Sequence, residues 1–287
     1  EGLKAFRGTD DRKIRLFRVD RNAARLTASC TRLCIPAPDE SLVIDSIKQL
    51  VMLDQGWAPS RRGEALYVRP VLIATEPHLA VRPASRYRLL IFTSPVCEYF
   101  AQVKSPLYLK AEERYTRAPH GGTGYAKTAS NYSVTLRPMN DSVEDGFDQI
   151  LWLDGQEHKY VEEAGQMNIF FRLGDSVVTP DLSGTILPGV TRESVLTLLD
   201  DMGVTATERR LSMDELFLAQ ANGELYEAFG AGTASVVVPI GRIRYHDSDL
   251  RFPDEQQGNL CPELYNKILG IQHGELEDRH YWMMPLE

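Results

Sequence analysis

Apolar residues along the chain follow helical spacing in some segments and strand-like runs in others. Between residues 39 and 57 they recur at near-helical spacing behind an acidic, serine-containing start, which predicts a helix. Residues 66–75 and 87–96 are β-rich runs closed by proline and polar residues, so they predict strands. From 99 to 120 the chain is polar and interrupted by proline, as is typical of a linker or lid, with one short apolar stretch at 107–109.

The second part of the chain begins at a glycine cluster, residues 121–124, and strands outnumber helices in it. The patterns predict strands at 149–154, 160–161, 169–173 and 234–240, and helices at 190–202, after the capping sequence 212–215, and at 262–273. Strands and helices alternate without a βαβ rhythm, which indicates an α+β fold. We expect a small N-terminal domain over 1–99, incomplete at its start, a lid or linker over 100–107 and a large domain over 108–287.

Composition narrows the function classes. The 287 residues carry a formal charge of −8 and no basic stripe, which argues against nucleic acid as a partner. No apolar run approaches the roughly 20 residues that span a bilayer, and no secretory signal is visible, so we expect a cytoplasmic protein. The four cysteines and six histidines show no metal-ligand spacing, so no metal site is predicted.

Three segments carry candidate chemistry, and each has an ordinary alternative. Lys127 follows tight glycine turns, where a dry pocket would free its amine as a nucleophile, although the segment taken alone favours a solvated lysine. A carboxylate in 162–171 could pair with a protonated ring nitrogen or lie solvated at a strand end. A glycine turn in 182–192 opens a helix whose N–H groups could bind phosphate or nothing.

The order of these segments resembles the class IV, or fold-type IV, pyridoxal-phosphate aminotransferases, and most closely the branched-chain amino acid aminotransferases. The segments that carry the resemblance are 1–8 (EGLKAFRG), 66–70 (LYVRP), 75–77 (TEP), 121–132, 163–192 and 229–234 (FGAGTA). The resemblance implies a two-domain fold like that of D-amino acid aminotransferase, with a small α/β domain and a larger mixed-sheet domain. It also implies pyridoxal 5'-phosphate as the cofactor and a homodimer.

The resemblance assigns cofactor roles residue by residue. Lys127 would form the internal aldimine and then move the proton between Cα and the cofactor. Tyr132 would hydrogen-bond the phenolate oxygen, and Glu163 would keep the pyridine nitrogen protonated, which makes the ring an electron sink. Arg25 would bind the phosphate. The phosphate site would be completed by backbone and hydroxyl groups of Val190, Thr191 and Thr233.

Substrate roles follow from the same resemblance. Tyr67 and Arg69 would come from the small domain and shape the substrate pocket, while Thr233 and Ala234 would present backbone N–H groups to a substrate carboxylate. The reaction implied is transamination of branched-chain L-amino acids with 2-oxoglutarate. The alternatives are a D-amino acid aminotransferase, an aminodeoxychorismate lyase, a specialised relative with another amino substrate, or a catalytically silent homologue that acts as a binding subunit.

The chain departs from the family pattern in three places. Thr128, Ala129 and Ser130 stand where glycines are usual, so strain is expected at any of them that needs a positive φ. Pro138 should break or shorten the helix that follows. The lid residues 101–104 lack the customary glycines.

Overall fold

The computed structural model describes residues 1–97, 106–252 and 259–286. Seven α-helices and fourteen β-strands are defined within these ranges. The helices are α1 (Val19–Arg32), α2 (Glu40–Leu53), α3 (Ser130–Ser133), α4 (Leu136–Glu144), α5 (Val190–Asp201), α6 (Met213–Ala221) and α7 (Leu260–Gln272). The strands are β1 (Leu3–Arg7), β2 (Ile14–Phe17), β3 (Ala65–Ala74), β4 (Tyr87–Val96), β5 (Leu107–Ala111), β6 (Gln149–Leu153), β7 (Val161–Ala164), β8 (Met167–Leu173), β9 (Ser176–Thr179), β10 (Ala206–Glu208), β11 (Leu225–Gly232), β12 (Val236–Tyr245), β13 (Ser248–Arg251) and β14 (Met283–Pro285).

The chain divides into two compact units. Unit 1 contains residues 1–101 and 267–287, and unit 2 contains residues 102–266. The assignment of all residues from 108 to 287 to the large domain therefore needs a correction, because β14 near the C-terminus pairs with β2 of unit 1. Three residues of strand are too few to give a period-2 signal in the sequence. The predicted lid spans residues 100–107, and its residues 100–105 lie outside the described residues.

Unit 1 is built on a five-stranded sheet in the order β14-β2-β1-β3-β4. The predicted strands at 66–75 and 87–96 form the antiparallel hairpin β3–β4. The predicted helix is α2, and the side chain of its N-cap, Asp39, accepts a hydrogen bond from the Ser41 N–H at 2.8 Å. Helices α1 and α2 pack on one face of the sheet and bury aliphatic residues such as Val43, Ile47 and Val51. The apolar spacing that predicted α2 is thus explained by this core.

Unit 2 is built on a nine-stranded mixed sheet. Eight strands follow the order β10-β9-β8-β11-β12-β5-β6-β7, and the ninth, β13, pairs with β12. In addition, β7 pairs with β8. That last pairing closes six strands, from β8 to β7, into a small barrel. The strands of this sheet carry fully buried aromatic residues, among them Trp152 and the stacked pair Phe170 and Phe229, whose ring centroids are 5.1 Å apart. The prediction of an α+β fold with a larger mixed-sheet domain is confirmed.

Two local expectations for unit 2 are wrong. The apolar stretch at 107–109 does not belong to a linker but to β5, a central strand that pairs in parallel with β12 and β6. Pro138 does not break its helix, because it occupies the first turn of α4, where its missing N–H has no intrahelical partner to lose. None of the helices in the described ranges is long and apolar enough to cross a membrane.

Candidate active site

The loop that carries Lys127 is held by its own polar groups. The Asn131 side chain donates to the carbonyl oxygens of Thr123 at 2.7 Å and Ala126 at 2.9 Å, and it accepts from the Thr123 hydroxyl at 2.7 Å. These bonds fold residues 123–131 into a compact turn with Lys127 at its centre. The strain expected at residues 128–130 is absent, because none of these three residues has a positive φ.

Gly124 brings the same loop into contact with a second segment of unit 2. A Cβ at this position would lie 2.2 Å from the Thr185 carbonyl oxygen and 2.6 Å from the Thr185 Cα. Backbone packs directly on backbone here, so only glycine fits without a shift. The glycine cluster, which the sequence left open as an ordinary turn, thus presses the lysine loop against the segment that leads into α5.

Glu163 lies at the centre of the candidate site, buried on β7. One carboxylate oxygen accepts from the Leu187 N–H at 2.9 Å, and the other lies 2.8 Å from Nε of Arg117. Burial raises the pKa of Glu163, while the charges of Arg117 and Lys127 oppose that rise. The alternative of solvated acids at a strand end is therefore wrong for Glu163 and also for its buried neighbour Glu162.

The N-terminus of α5 is tied to the same strands. Asn168 is paired with Glu163 across the β7–β8 ladder, and its amide donates to the Leu187 carbonyl at 3.0 Å. Glu163 and Asn168 therefore both bind the backbone of one residue, Leu187. Gly189 follows as the N-cap, with no side-chain cap on the helix, and a Cβ there would lie 2.0 Å from the Asn168 Oδ1. The buried residues Val190 and Thr191 begin α5, directly after the segment that Glu163 and Asn168 bind.

Thr233 and Ala234 lie in the short turn between β11 and β12. Ala231 pairs with Asn168, and a Cβ on Gly232 would lie 3.3 Å from the Met167 Cγ. The turn therefore continues past the same end of β8 that carries Asn168. Both turn residues reach solvent, Thr233 in part.

Tyr132 lies on the short helix α3, directly after Asn131, and is partly exposed. Of the predicted residues of unit 2, Lys127, Glu163, Val190 and Thr191 are linked by the contacts and charges given above. The roles of these four residues, and those of Tyr132, Thr233 and Ala234, stay predictions.

The predicted residues of unit 1 form a group of their own. Arg25 is buried and pairs with both carboxylate oxygens of Glu1, at 3.1 Å through Nε and 2.8 Å through Nη2. Arg69 donates to the Tyr67 hydroxyl at 2.7 Å and to the Glu1 carbonyl at 3.4 Å. Glu1 therefore joins the predicted phosphate-binding arginine to the predicted substrate-pocket pair.

Comparisons with known proteins match the whole chain. The model of the amino-transferase class IV family matches residues 4–243. Branched-chain-amino-acid transaminase 1 of Bacillus subtilis (strain 168) is 46% identical, with 100% of this chain and 80% of that protein covered. A branched-chain-amino-acid aminotransferase of Mycobacterium tuberculosis (strain CDC 1551 / Oshkosh) is 45% identical, with 100% of this chain and 79% of that protein covered.

The chain belongs to the class IV aminotransferases. The solved branched-chain amino acid aminotransferase of Thermobaculum terrenum in its PLP form has a TM-score of 0.83 to this chain at 20% identity, over 100% of this chain and 88% of that one. The branched-chain aminotransferase of the thermophilic archaeon Thermoproteus uzoniensis, solved with norvaline, has a TM-score of 0.82 at 21% identity, with coverage of 100% and 89%. These structures support the fold, and the resemblance drawn from the motifs is confirmed.

Three residues of this class IV aminotransferase were not singled out from the sequence: Arg117, Asn168 and Thr185. Arg117 lies in a polar stretch without periodicity, where a solvated arginine is the ordinary expectation. Asn168 and Thr185 lie within segments that were recognised, yet nothing in their spacing distinguished them from their neighbours. A polar residue inside a buried strand, as Asn168 is in β8, was the one available signal.

Glu162 is a buried carboxyl from which we expect a pH-dependent contribution to stability. Its Oε1 accepts from the Thr185 hydroxyl at 2.5 Å, and burial raises its pKa to about 7 from the ordinary 4.5. A carboxyl whose pKa is higher in the folded protein stabilises it fully below pH 4.5, and that contribution is lost as the pH rises through 7. Glutamine cannot ionise, so the Glu162→Gln variant should not lose this contribution. We expect the difference in unfolding free energy between the variant and wild type to shift in favour of the variant by about 2 kcal/mol when the pH is raised from about 5 to about 8.

Urea unfolding at the two pH values measures this change. Glu157→Gln is the matched control, because the Glu157 side chain is 53% exposed and should show no pH-dependent difference from wild type. A Glu162→Gln difference that is equal at the lower and the higher pH would contradict the assignment.

Proposed function

We propose that this aminotransferase exchanges amino groups between branched-chain L-amino acids and 2-oxoglutarate, with pyridoxal phosphate as its cofactor. The observation that carries the proposal is the 45–46% identity, over nearly the whole chain, to relatives named for branched-chain amino acids. The residues of unit 2 fit the cofactor. A buried carboxylate suits a pyridine nitrogen, and a helix N-terminus without a side-chain cap suits a phosphate.

When bound, pyridoxal phosphate supplies an electron sink for negative charge that develops at the substrate Cα. Glu163 holds the protonated ring nitrogen, and its fixed position between Leu187 and Arg117 means that little reorganisation is needed. Lys127 would hold the cofactor through its carbonyl carbon and, once the substrate's amino group has displaced the lysine amine, would move the proton from Cα to the cofactor's C4′. Tyr132 would donate to the phenolate oxygen.

The family resemblance assigns the phosphate to Arg25 of unit 1 and to Val190, Thr191 and Thr233 of unit 2. Arg25 is oriented by Glu1, and the backbone N–H groups that begin α5 add the positive end of a helix dipole. Tyr67 and Arg69, with the N–H groups of Thr233 and Ala234, are assigned to the amino-acid substrate. A hydrophobic side-chain pocket discriminates aliphatic chains by about 1–3 kcal/mol per methylene.

The test is the visible spectrum of the purified protein with pyridoxal phosphate, followed by addition of single amino acids and detection of the oxo acid. L-Leucine, L-isoleucine and L-valine should each bleach the band and yield their oxo acids, and 2-oxoglutarate should restore it. A response to D-alanine alone would move the activity to the D-amino acid group. Cofactor binding without any oxo acid would support the silent homologue.

We also propose that the chain forms a homodimer. Large apolar side chains stand exposed on the β3–β4 hairpin of unit 1, including Ile73 at 41% and Phe92 at 54% exposed, with Leu79 and Val81 in the connecting loop fully exposed. Such a patch is typical of a surface that a partner covers. Light scattering of the holoenzyme should give the mass of at least two chains, and Phe92→Asp should lower it. A monomer under assay conditions would contradict the proposal.

A further inference from the structure

Arg117 is a buried cation that joins three segments of unit 2. Its Nε lies 2.8 Å from the Glu163 Oε2, and its Nη2 donates to the carbonyl oxygens of Gly124, at 3.3 Å, and of Thr185. Gly124 belongs to the lysine loop, and Thr185 to the segment that leads into α5. One guanidinium therefore holds together the strand of Glu163, the loop of Lys127 and the approach to the candidate phosphate site.

The electrostatic surroundings make this contact decisive for Glu163. Arg117 and Lys127 attract the Glu163 carboxylate, whereas the negative charges of this cluster are Glu162, which precedes Glu163 on β7, and Asp154, which acts on Glu162. A fully buried carboxylate takes up a proton unless a cation lies close to it. A protonated Glu163 would meet a protonated pyridine nitrogen with the wrong charge, so the pairing requires an ionised carboxylate.

We propose that Arg117 is a positioning residue for transamination: it acts through Glu163, by keeping that carboxylate ionised and in place. The inference rests on the proposed pairing of Glu163 with the pyridine nitrogen. It assigns Arg117 no contact with the cofactor or substrate.

The test compares Arg117→Met, Arg117→Lys, Glu163→Gln and the double variant Arg117→Met/Glu163→Gln as holoenzymes. The first readout is the pH at which the visible absorption of the bound cofactor changes. Arg117→Met should shift this pH in the same direction as Glu163→Gln, and Arg117→Lys, which keeps the charge, should lie between Arg117→Met and wild type. The second readout is the pH profile of kcat, whose acid limb should rise by about 1–3 pH units in Arg117→Met.

The double variant separates an action through Glu163 from general damage. If Arg117 acts through Glu163, kcat falls about 10²-fold in Arg117→Met, and adding this change to Glu163→Gln causes little further loss. The melting temperature of the cofactor-free protein should likewise fall more on removal of Arg117 from wild type than from Glu163→Gln, because only the former leaves a buried carboxylate unpaired. Arg209→Met, which removes an ion pair to Glu215 elsewhere in unit 2, should leave both pH values unchanged.

The roles of Glu163 and Arg117 are distinguished by different outcomes. If Glu163→Gln leaves the cofactor spectrum and kcat unchanged, the assignment of Glu163 itself is wrong. A second outcome overturns only the role of Arg117: Glu163→Gln changes the cofactor spectrum and kcat, but Arg117→Met and Arg117→Lys show the wild-type pH dependence. The same holds if the fall in kcat of the double variant equals the product of the falls in the two single variants.

Discussion

Replacement of Lys127 by methionine is expected to lower kcat/KM for L-leucine by at least about 10⁴-fold, because the variant lacks the amine that we propose holds the cofactor and moves the Cα proton. The amine lies on a loop fixed by Asn131, and its charge acts on buried Glu163. The substitution should therefore remove the chemistry of the amine without disturbing the fold, since methionine preserves most of the side-chain volume. The melting temperature of the cofactor-free variant should stay close to that of wild type.

Two measurements check this expectation. Borohydride reduction and peptide mapping should trap the cofactor on the peptide that contains Lys127 in wild type and on no peptide of the variant. Lys159→Met is the matched control, because the Lys159 amine pairs with Asp214 at 2.7 Å and is 40% exposed. It should retain wild-type activity. Trapping on another lysine, or a variant with more than a tenth of wild-type activity, would contradict the role of Lys127.

Local signals in the sequence predicted four of the seven helices of the described ranges, α2, α5, α6 and α7, and did not predict α1. Asp39 and Ser212 both cap their helices as expected, and Ser212 accepts from the Glu215 N–H at 3.1 Å. Only half of the capping box forms at Ser212, because the Glu215 side chain pairs with Arg209 instead. Helix caps and apolar periodicity depend on residues within one or two helical turns of each other, so the sequence predicts them without the tertiary structure.

Strands whose pairing partners are far away in the sequence could not be predicted in the same way. Strand β5 is short and lies in a polar stretch, and its burial comes from β12 and β6, far away in the chain. Strand β14 likewise exists only because β2 offers it an edge. A sequence pattern reports the burial of one face of one element, and it does not name the partner that covers it.

The candidate site divides along the same line. Lys127 and Glu163 were identified because their segments resemble those of a known family, which fixed their order and spacing. Arg117 was missed, since it is a charged residue in a polar loop and becomes buried only when Glu163, Gly124 and Thr185 surround it. The expected strain at residues 128–130 failed for the same reason, because the turn geometry is set by Asn131 rather than by glycine.

Gly124→Ala should be the most damaging change that alters no functional group. A Cβ at Gly124 would lie 2.2 Å from the Thr185 carbonyl oxygen and 2.5 Å from its carbonyl carbon, and these are backbone atoms that cannot rotate away. Either the lysine loop or the segment that leads into α5 must move. Because Lys127 lies three residues further on, we expect kcat/KM to fall about 10²-fold and the unfolding free energy to fall by about 1–3 kcal/mol.

Gly56→Ala provides the matched comparison, since a Cβ there would have no atom within 4 Å, and it should change the unfolding free energy by less than about 0.5 kcal/mol. Urea unfolding and the L-leucine assay measure both variants. Activity that falls further than the loss of folded protein explains would place the damage in the geometry of the loop. Wild-type activity and stability in Gly124→Ala would mean that the close contact between Gly124 and Thr185 does not position Lys127. The same variant also displaces the Gly124 carbonyl that Arg117 contacts, so a shifted acid limb in its pH profile would connect the loop to the ionisation of Glu163.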